Sequence, residues 1–252
     1  MNAKTLLSHI AIVLIRPKIP ENIGAAARIA WNMGITRLIL VRDEVPDRES
    51  MAKMATHKAA HLIDNLEVFP NLDEALSEFS VIIGTTARRG RQRFVEKSPR
   101  ELVDTLLPLL ANNKVAILFG PEDTGLTNED LKYCHMASAI PTADFSSINL
   151  AQAVAIHCYE IYYGVLHARK KPCQVPQLAT SHELESMYFY LEEALSSFQL
   201  MEESNRSYWM SNIRHFFGKI RLTSKDTNIV RTLCKKLLLY QQPRNRKEHG
   251  DQ

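Results

Sequence analysis

The sequence has few cysteines, and none of them lies in a recognisable metal-binding or redox pattern. Only four occur among its 252 residues: Cys134, Cys158, Cys173 and Cys234. Their spacing contains neither a CxxC pair nor the spacing of a zinc site. We therefore expect reduced thiols, a cytoplasmic location and no metal.

Motifs that mark several common enzyme classes are also absent. The chain has no GxGxxG after the first apolar run, no Walker-type phosphate loop and no GxSxG, which disfavours dehydrogenases, P-loop hydrolases and α/β-hydrolases. His57 and His61 lack the glutamate of a zinc-protease motif, and we interpret them as surface residues of a helix. The run IAIVLI ends at Arg16-Pro17 without a cleavage site, and no run can cross a bilayer, so we expect no membrane partner.

The charge is ordinary in total but uneven along the chain. The formal net charge is +3, yet the residues from Arg206 onward carry 11 Lys and Arg against 3 Asp and Glu. This asymmetry favours an anionic partner for the basic end. The alternative is a solvated helical surface followed by a basic tail.

Short apolar runs alternate with helical patterns in the first two thirds of the chain, which predicts an α/β fold with an open parallel sheet. The predicted strands are Ile10–Ile15, Arg37–Val41, Leu66–Phe69, Val81–Gly84, Val115–Phe119 and Ala137–Ile140. Helix starts are indicated by Ser98 with Pro99 and Glu101, and by Thr127 with Asp130. A long helix is predicted from Leu150 to Ala168.

Composition divides the chain into a domain over 1–169, a linker over 170–181, a helical segment over 182–242 and a disordered tail over 243–252. The basic charge makes RNA the expected partner of the helical segment. Helices are predicted near 182–200, 206–218 and 225–241. We expect them to pack through Phe216, Phe217, Ile220, Leu233 and Leu237. That packing would leave Arg214, Lys219, Arg221, Arg231 and Lys235 available to phosphate.

The segment from Pro20 to Gly34 runs from a turn into a helix. Asn22 is a plausible N-cap, and Gly24, Ala25 and Arg28 share one helix face. Small residues beside Arg28 would leave room for a ribose phosphate. The alternative is that Gly24 and the alanines allow close packing on the sheet, with Arg28 in a surface ion pair.

The segment from Leu118 to Leu131 places Gly120 and Gly125 around Glu122. Glycine permits positive φ and close backbone approach, so this turn would present backbone groups to a polar small molecule. An ordinary glycine-rich turn is the alternative.

The segment from Ile140 to Leu150 ends a loop and begins the long helix. Ser147 and Asn149 can cap that helix, or they can hold a carboxylate or phosphate at its N-terminus.

A cluster of arginines follows an earlier strand, at Arg88, Arg89, Arg91 and Arg93. Arginine suits phosphate recognition, so we favour RNA contact over a solvated loop.

Taken in order, these segments resemble the signature motifs of the SPOUT superfamily of RNA methyltransferases. The resemblance extends through Leu184 to Gln241 and is to the tRNA ribose 2′-O-methyltransferases that modify the first anticodon-loop nucleotide, cytidine or uridine 32. It implies a C-terminal trefoil knot in the α/β domain, S-adenosylmethionine as cofactor, and a cytoplasmic homodimer that binds tRNA and no DNA.

The resemblance also implies residue roles. The catalytic residues would be Asn22, Arg28, Glu122, Ser147 and Asn149. The cofactor would be held by Thr85, Thr86, Ala87, Phe119, Gly120, Glu122, Gly125, Leu126, Ile140, Ser147, Ile148 and Leu150. Charge, rather than the resemblance, is the reason to expect RNA contact at Arg88, Arg89, Arg91, Arg93, Arg214 and Arg221. The remaining alternatives are methylation of ribosomal RNA or another tRNA site, and a non-catalytic RNA-binding protein of the same fold.

Overall fold

A computed structural model of the chain describes residues 2–87, 96–168 and 175–245. The chain divides into two compact units, Met1–Pro176 and Gln177–Gln252. Each unit has its own hydrophobic cluster.

The first unit is built on a parallel sheet, as the sequence predicts. Within the described residues, seven strands lie in the order β3-β2-β1-β6-β4-β7-β5, and every pairing is parallel. They are β1 (Ile10–Ile15), β2 (Arg37–Val41), β3 (Glu67–Phe69), β4 (Val81–Thr85), β5 (Glu96–Lys97), β6 (Val115–Phe119) and β7 (Met136–Ser138). All six predicted strands are present, with ends shifted by at most two residues. The short edge strand β5 was not predicted.

The central strands β1 and β6 are completely buried, because helices cover both faces of the sheet. Their β-branched and aliphatic side chains suit such positions. The register places Ile10 beside Val115 and Ala11 beside Arg37, so β1 lies between β6 and β2.

The helices of this unit confirm the predicted start signals. They are α1 (Ala3–Leu7), α2 (Pro20–Asn32), α3 (Arg48–Asp64), α4 (Leu72–Leu76), α5 (Pro99–Leu106), α6 (Asn128–Leu131) and α7 (Leu150–His167). Ser98 and Thr127 each form a complete capping box, with Glu101 and Asp130 respectively. None of the helices in the described parts of the chain is both long and apolar enough to cross a membrane.

Two expectations for α2 are corrected. The helix begins at Pro20 after Ile19, so Asn22 lies inside it and is not its N-cap. Gly24 does not open space for a ligand, because a methyl group there would lie 1.8 Å from the backbone oxygen of Met51 on α3. Its role is close helix packing, although against α3 rather than the sheet.

The second unit contains the three predicted helices, α8 (Ser181–Ser197), α9 (Arg206–Gly218) and α10 (Ser224–Asn245), with a 3-10 turn at Glu203–Asn205. Its core is formed by Met187, Tyr188, Met201 and Met210, with Phe217 packed against them. The other predicted contacts are wrong, since these side chains are exposed: Phe216, Ile220, Leu233 and Leu237. Helix α10 also continues three residues into the expected tail, and residues 246–252 lie outside the described part.

Candidate active site

The ends of three neighbouring strands form one edge of the candidate site. Strands β6, β4 and β7 lie side by side and parallel, so their carboxyl ends meet at this edge. The Thr85 hydroxyl donates to the backbone oxygen of Leu118 at 2.8 Å. The Thr86 amide donates to the backbone oxygen of Ser138 at 2.9 Å. Two of the segments expected to bind cofactor, Thr85–Ala87 and the turn after Phe119, are therefore adjacent.

The turn after β6 closes tightly on itself. The Gly125 amide donates to the backbone oxygen of Pro121 at 2.9 Å, and Gly125 has a φ of +65°. A Cβ atom at Gly120 would lie 2.3 Å from the carbonyl carbon of Gly125. The close contact requires glycine at Gly120, and the positive φ favours it at Gly125.

Glu122 lies at the centre of a hydrogen-bonded group. Its carboxylate accepts from the amides of Lys18 at 2.8 Å and Ile19 at 3.3 Å. It also accepts from Asn22 Nδ2 at 2.7 Å. Partial burial acts to raise the pKa of Glu122, but these donors outweigh burial and hold its pKa below the ordinary value. Glu122 is therefore ionised at neutral pH.

Asn149 connects this group to the third motif. Its Nδ2 donates to Asn22 Oδ1 at 3.1 Å, while its Oδ1 accepts from the amides of Ala151 and Gln152 and caps α7. Three motifs separated in sequence are thus joined side chain to side chain. We call this the Glu122–Asn22–Asn149 network.

Other expected site residues lie outside the network. Arg28 is exposed on α2, and no hydrogen bond or ion pair joins it to any other described residue. The surface ion pair considered for it is therefore not seen in the described part of the chain. Ser147 is also exposed, whereas Ile140 and Ile148 are half-buried and Leu150 is buried. These residues therefore keep their expected site roles as predictions.

Sequence reasoning missed Arg16 and Lys18, which follow β1 directly. Arg16 has a φ of +47°, and its Nη2 pairs with Asp130 Oδ2 at 2.6 Å. Lys18 contributes its amide to Glu122 and its ammonium group to Asp123 at 2.6 Å. The Arg-Pro pair after a buried strand was the available signal.

His157 was also missed, although it supports the sheet edge. Its Nδ1 lies 2.9 Å from the backbone oxygen of Ala153, so Nδ1 carries the proton and donates. Its Nε2 then accepts from the Ser138 hydroxyl at 3.0 Å. Burial lowers the pKa of His157 to about 4, and its ring packs edge-on against Phe119. A neutral histidine therefore connects α7 to β7 and β6.

The expected RNA-binding arginines have different surroundings. Arg88, Arg89, Arg91 and Arg93 lie outside the described residues. Arg214 is not available to phosphate as expected, because its guanidinium pairs with both carboxylate oxygens of Glu185 and lies 4.4 Å from the centre of the Tyr188 ring. Arg221 is exposed. Among the described residues, no cluster of three or more His, Cys, Asp or Glu could hold a metal.

Comparisons with known proteins identify the family of the chain. A model of the SpoU rRNA Methylase family matches residues 9–159, which include the whole network. The tRNA (cytidine/uridine/adenosine-2′-O-)-methyltransferase TrmJ of Pseudomonas aeruginosa (strain UCBPP-PA14) is 36% identical, over 90% of this chain and 92% of its own length. The tRNA (cytidine/uridine-2′-O-)-methyltransferase TrmJ of Escherichia coli (strain K12) is 35% identical, over 90% and 94%.

The fold is similar to that of a solved structure. The crystal structure of TrmJ from Z. mobilis ZM4 superposes with a TM-score of 0.77 at 29% identity. The match covers 90% of this chain and 98% of that one. The similarity therefore extends beyond the span of the family model.

Proposed function

This chain belongs to the SpoU rRNA methylase family, and we propose that it is a tRNA methyltransferase acting on a ribose 2′-hydroxyl. The observation that carries the proposal is the Glu122–Asn22–Asn149 network, because it assembles all three motifs at one place. The relatives named as tRNA 2′-O-methyltransferases match 90% of the chain, which favours tRNA over ribosomal RNA.

The methyl donor in this proposal is S-adenosylmethionine, and the residues present fit it. The turn from Gly120 to Leu126 is closed by its glycines, so its backbone groups can face a polar ligand. Apolar side chains suited to an adenine ring lie at Leu126, Ile140, Ile148 and Leu150. When bound, the cofactor supplies a methyl group already activated by the positive sulfur. No described group of side chains suggests a metal requirement.

The protein's own task is then alignment and charge stabilisation. Holding reactants in the attacking geometry can lower a barrier by roughly 7–11 kcal/mol. Asn22 and Asn149 fix each other's amide orientation and would hold the ribose. Glu122 is ionised and already accepts three hydrogen bonds, so it positions Asn22 and donates no proton. The guanidinium of Arg28 would stabilise the developing oxyanion.

The target in this proposal is position 32, the first nucleotide of the anticodon loop, as cytidine or uridine. Supporting it, the second unit is present and the E. coli relative's name specifies cytidine and uridine. The second unit would add tRNA affinity through the basic part that begins at Arg206, with exposed residues such as Lys219 and Arg221.

We extend the proposal to assembly and topology. A row of partly exposed apolar side chains on α7 favours a homodimer: Ile156, Tyr159, Tyr163 and Leu166. Two observations support a trefoil knot. Strand β6 lies between β1 and β4, whereas β7 lies beyond β4. Asn149, which follows β7 in the chain, donates a hydrogen bond to Asn22 on α2. Action on tRNA favours the cytoplasm.

The test is to incubate the protein with labelled S-adenosylmethionine, a chelator and either total tRNA or ribosomal RNA, and then to map the labelled nucleoside. We expect label in tRNA as 2′-O-methylcytidine or 2′-O-methyluridine at position 32. Label in ribosomal RNA alone would establish a different substrate. Cofactor binding without label in either RNA would favour a non-catalytic RNA-binding protein.

A further inference from the structure

A second groove lies at the same edge of the sheet but beyond different strands. It has a volume of about 710 Å³, and Arg16, Arg42 and Pro70 line it directly after the last residues of β1, β2 and β3. Ligands in open α/β sheets bind outside the carboxyl ends of the strands. This groove is therefore in the right place to bind a ligand, and of the three motifs only the end of the second, at Glu129 and Asp130, reaches its wall.

One residue connects the groove to the candidate active site. Lys18 lines the groove, and its backbone amide donates to Glu122 at 2.8 Å. Whatever occupies the groove therefore lies next to the Glu122–Asn22–Asn149 network. On the proposed function, a polynucleotide whose ribose reaches that network can place its next nucleotide here.

The groove has a preorganised wall. Arg16 is held at positive φ by its own amide, which donates to the Val41 backbone oxygen at 2.9 Å, and by its ion pair with Asp130. Asp130 is only 4% exposed and also accepts from the Thr127 amide at 2.8 Å. Strained backbone of this kind persists only where its surroundings fix it, and it concentrates at functional sites.

The charges of the lining leave one basic side chain without a carboxylate. Arg16 pairs with Asp130, Lys132 with Glu129 at 3.1 Å, and Lys18 with Asp123. Arg42 is half-buried and donates to the backbone oxygen of Pro17 at 3.1 Å. No ion pair joins it to a carboxylate within the described part of the chain. A half-buried guanidinium with only a neutral partner favours an anionic ligand.

The remaining lining favours a nucleotide over a bare anion. Basic and acidic side chains are equal in number because Asp43, Glu44, Glu129 and Asp130 also line the groove, which favours a ligand part with a single phosphate over one with several. Asp43 and Glu44 are exposed, so solvent screens them. Pro17 and the ring of Tyr133 line the groove; the ring is half-buried against the core, and the Lys132 ammonium group lies 5.2 Å from its centre. Stacking of a base on an aromatic ring beside a cation is a common mode of nucleotide binding. We propose that the groove binds the tRNA nucleotide adjacent to the methylated one, with Arg42 on its phosphate and Tyr133 against its base.

The test compares Arg42→Gln with Arg48→Gln in the full-length protein. Arg48 also carries one positive charge, but it is exposed, pairs with Asp64 and does not line the groove. The readouts are binding of tRNA and S-adenosylmethionine, kcat and KM for tRNA, thermal midpoint and salt dependence.

For Arg42→Gln we expect tRNA affinity to fall roughly tenfold or more, since a charge-assisted hydrogen bond is lost. The salt slope should decrease by about one ion, with cofactor affinity, kcat and thermal midpoint close to wild type. Tyr133→Leu should weaken tRNA binding without changing the salt slope.

Equal tRNA affinity in the Arg42 and Arg48 variants would overturn the proposal. A fall in kcat at unchanged KM would also overturn it, because Arg42 would then serve the chemistry. Methylation by the wild-type protein tests the proposed function separately, since the groove is judged by direct tRNA binding.

Discussion

Asn149 donates a hydrogen bond from Nδ2 to Asn22 Oδ1 at 3.1 Å, across 127 residues of sequence. The Asn149 oxygen is committed to the first amides of α7, and the Asn22 nitrogen is committed to Glu122. Each amide orientation is therefore determined by its neighbours. A change at one member should be felt at the others.

Asn149→Asp separates the two tasks of this residue. Aspartate is as good an N-cap as asparagine, so α7 should keep its cap and the thermal midpoint should change little. The carboxylate cannot donate to Asn22, and a flip of the Asn22 amide would only place its oxygen against Glu122. We expect methylation kcat to fall at least tenfold, on the order of one lost hydrogen bond. Asn65→Asp, at an exposed helix end, is the matched control and should retain normal activity.

Arg28→Ala should abolish methyl transfer while leaving cofactor affinity and the thermal midpoint nearly unchanged. The reason is that Arg28 is exposed and engages none of the described residues. Arg100→Ala, which removes an exposed arginine paired with Glu160, controls for loss of surface charge. Steady-state rates with tRNA measure the loss of methyl transfer, and a thermal melt checks that the fold is intact. A variant that methylates at the normal rate would remove Arg28 from the chemistry.

Gly120→Ala should disrupt cofactor binding. Its Cβ would lie 2.3 Å from the Gly125 carbonyl carbon, so the turn could not keep its shape. Gly218→Ala is the control, because its Cβ would meet nothing within 4 Å. Calorimetry with S-adenosylmethionine should show loss of binding only in the first variant. Normal binding heat in both would mean that the turn does not shape the cofactor site.

Buried His157 should make the protein less stable in mild acid. Burial lowers its folded-state pKa to about 4, whereas the unfolded side chain titrates near 6.5. Between these values the unfolded state binds more protons, so the free energy of unfolding decreases as pH falls from about 6.5 to 4. One pKa unit corresponds to about 1.4 kcal/mol. Denaturant melts across this window should show a shallower pH slope for His157→Asn than for wild type. An equal slope in the two proteins would mean that His157 does not cause the loss of stability in acid.

Glu122 should affect stability at a lower pH than His157 does, because it is a carboxylate with a lowered pKa. Its folded-state pKa lies below the ordinary value, so its contribution to stability is complete above about pH 4.5 and is lost as pH falls through the lowered pKa. Glu122→Gln should flatten the stability profile only below about pH 4.5. It should also impair methylation at neutral pH, because one amide oxygen cannot replace two carboxylate oxygens. An unaltered acid profile would show that Glu122 does not stabilise the fold.

Local patterns predicted most of the sheet because its strands are short, apolar and flanked by readable caps. The capping boxes at Ser98 and Thr127 rely only on residues three positions apart, so they could be recognised in isolation. Strand β5 has only two residues, Glu96 and Lys97, and depends on its pairing with β7, which no local pattern reveals.

The errors have the same cause, since they concern contacts between distant segments. The local sequence makes Asn22 look like an N-cap, but its side-chain amide donates to Glu122, a hundred residues away. Gly24 resembles an opening for a ligand until the Met51 backbone occupies the space. In the second unit several faces of the helices are apolar, and the sequence does not indicate that Met187 and Met210, rather than Phe216 and Leu233, form the core.

The position of β6 in the sheet has a consequence for synthesis on the ribosome. Strand β1 gains β2 as a neighbour early, but its other edge must wait for β6, because Ile10 pairs with Val115. At translation rates of 5–20 residues per second, roughly 5–20 s separate the two strands. During that interval an entirely apolar strand has an open backbone edge, the feature that most invites pairing with another chain. The nascent chain must therefore be shielded, by its own early helices or by a chaperone, until the middle of the sheet has been translated.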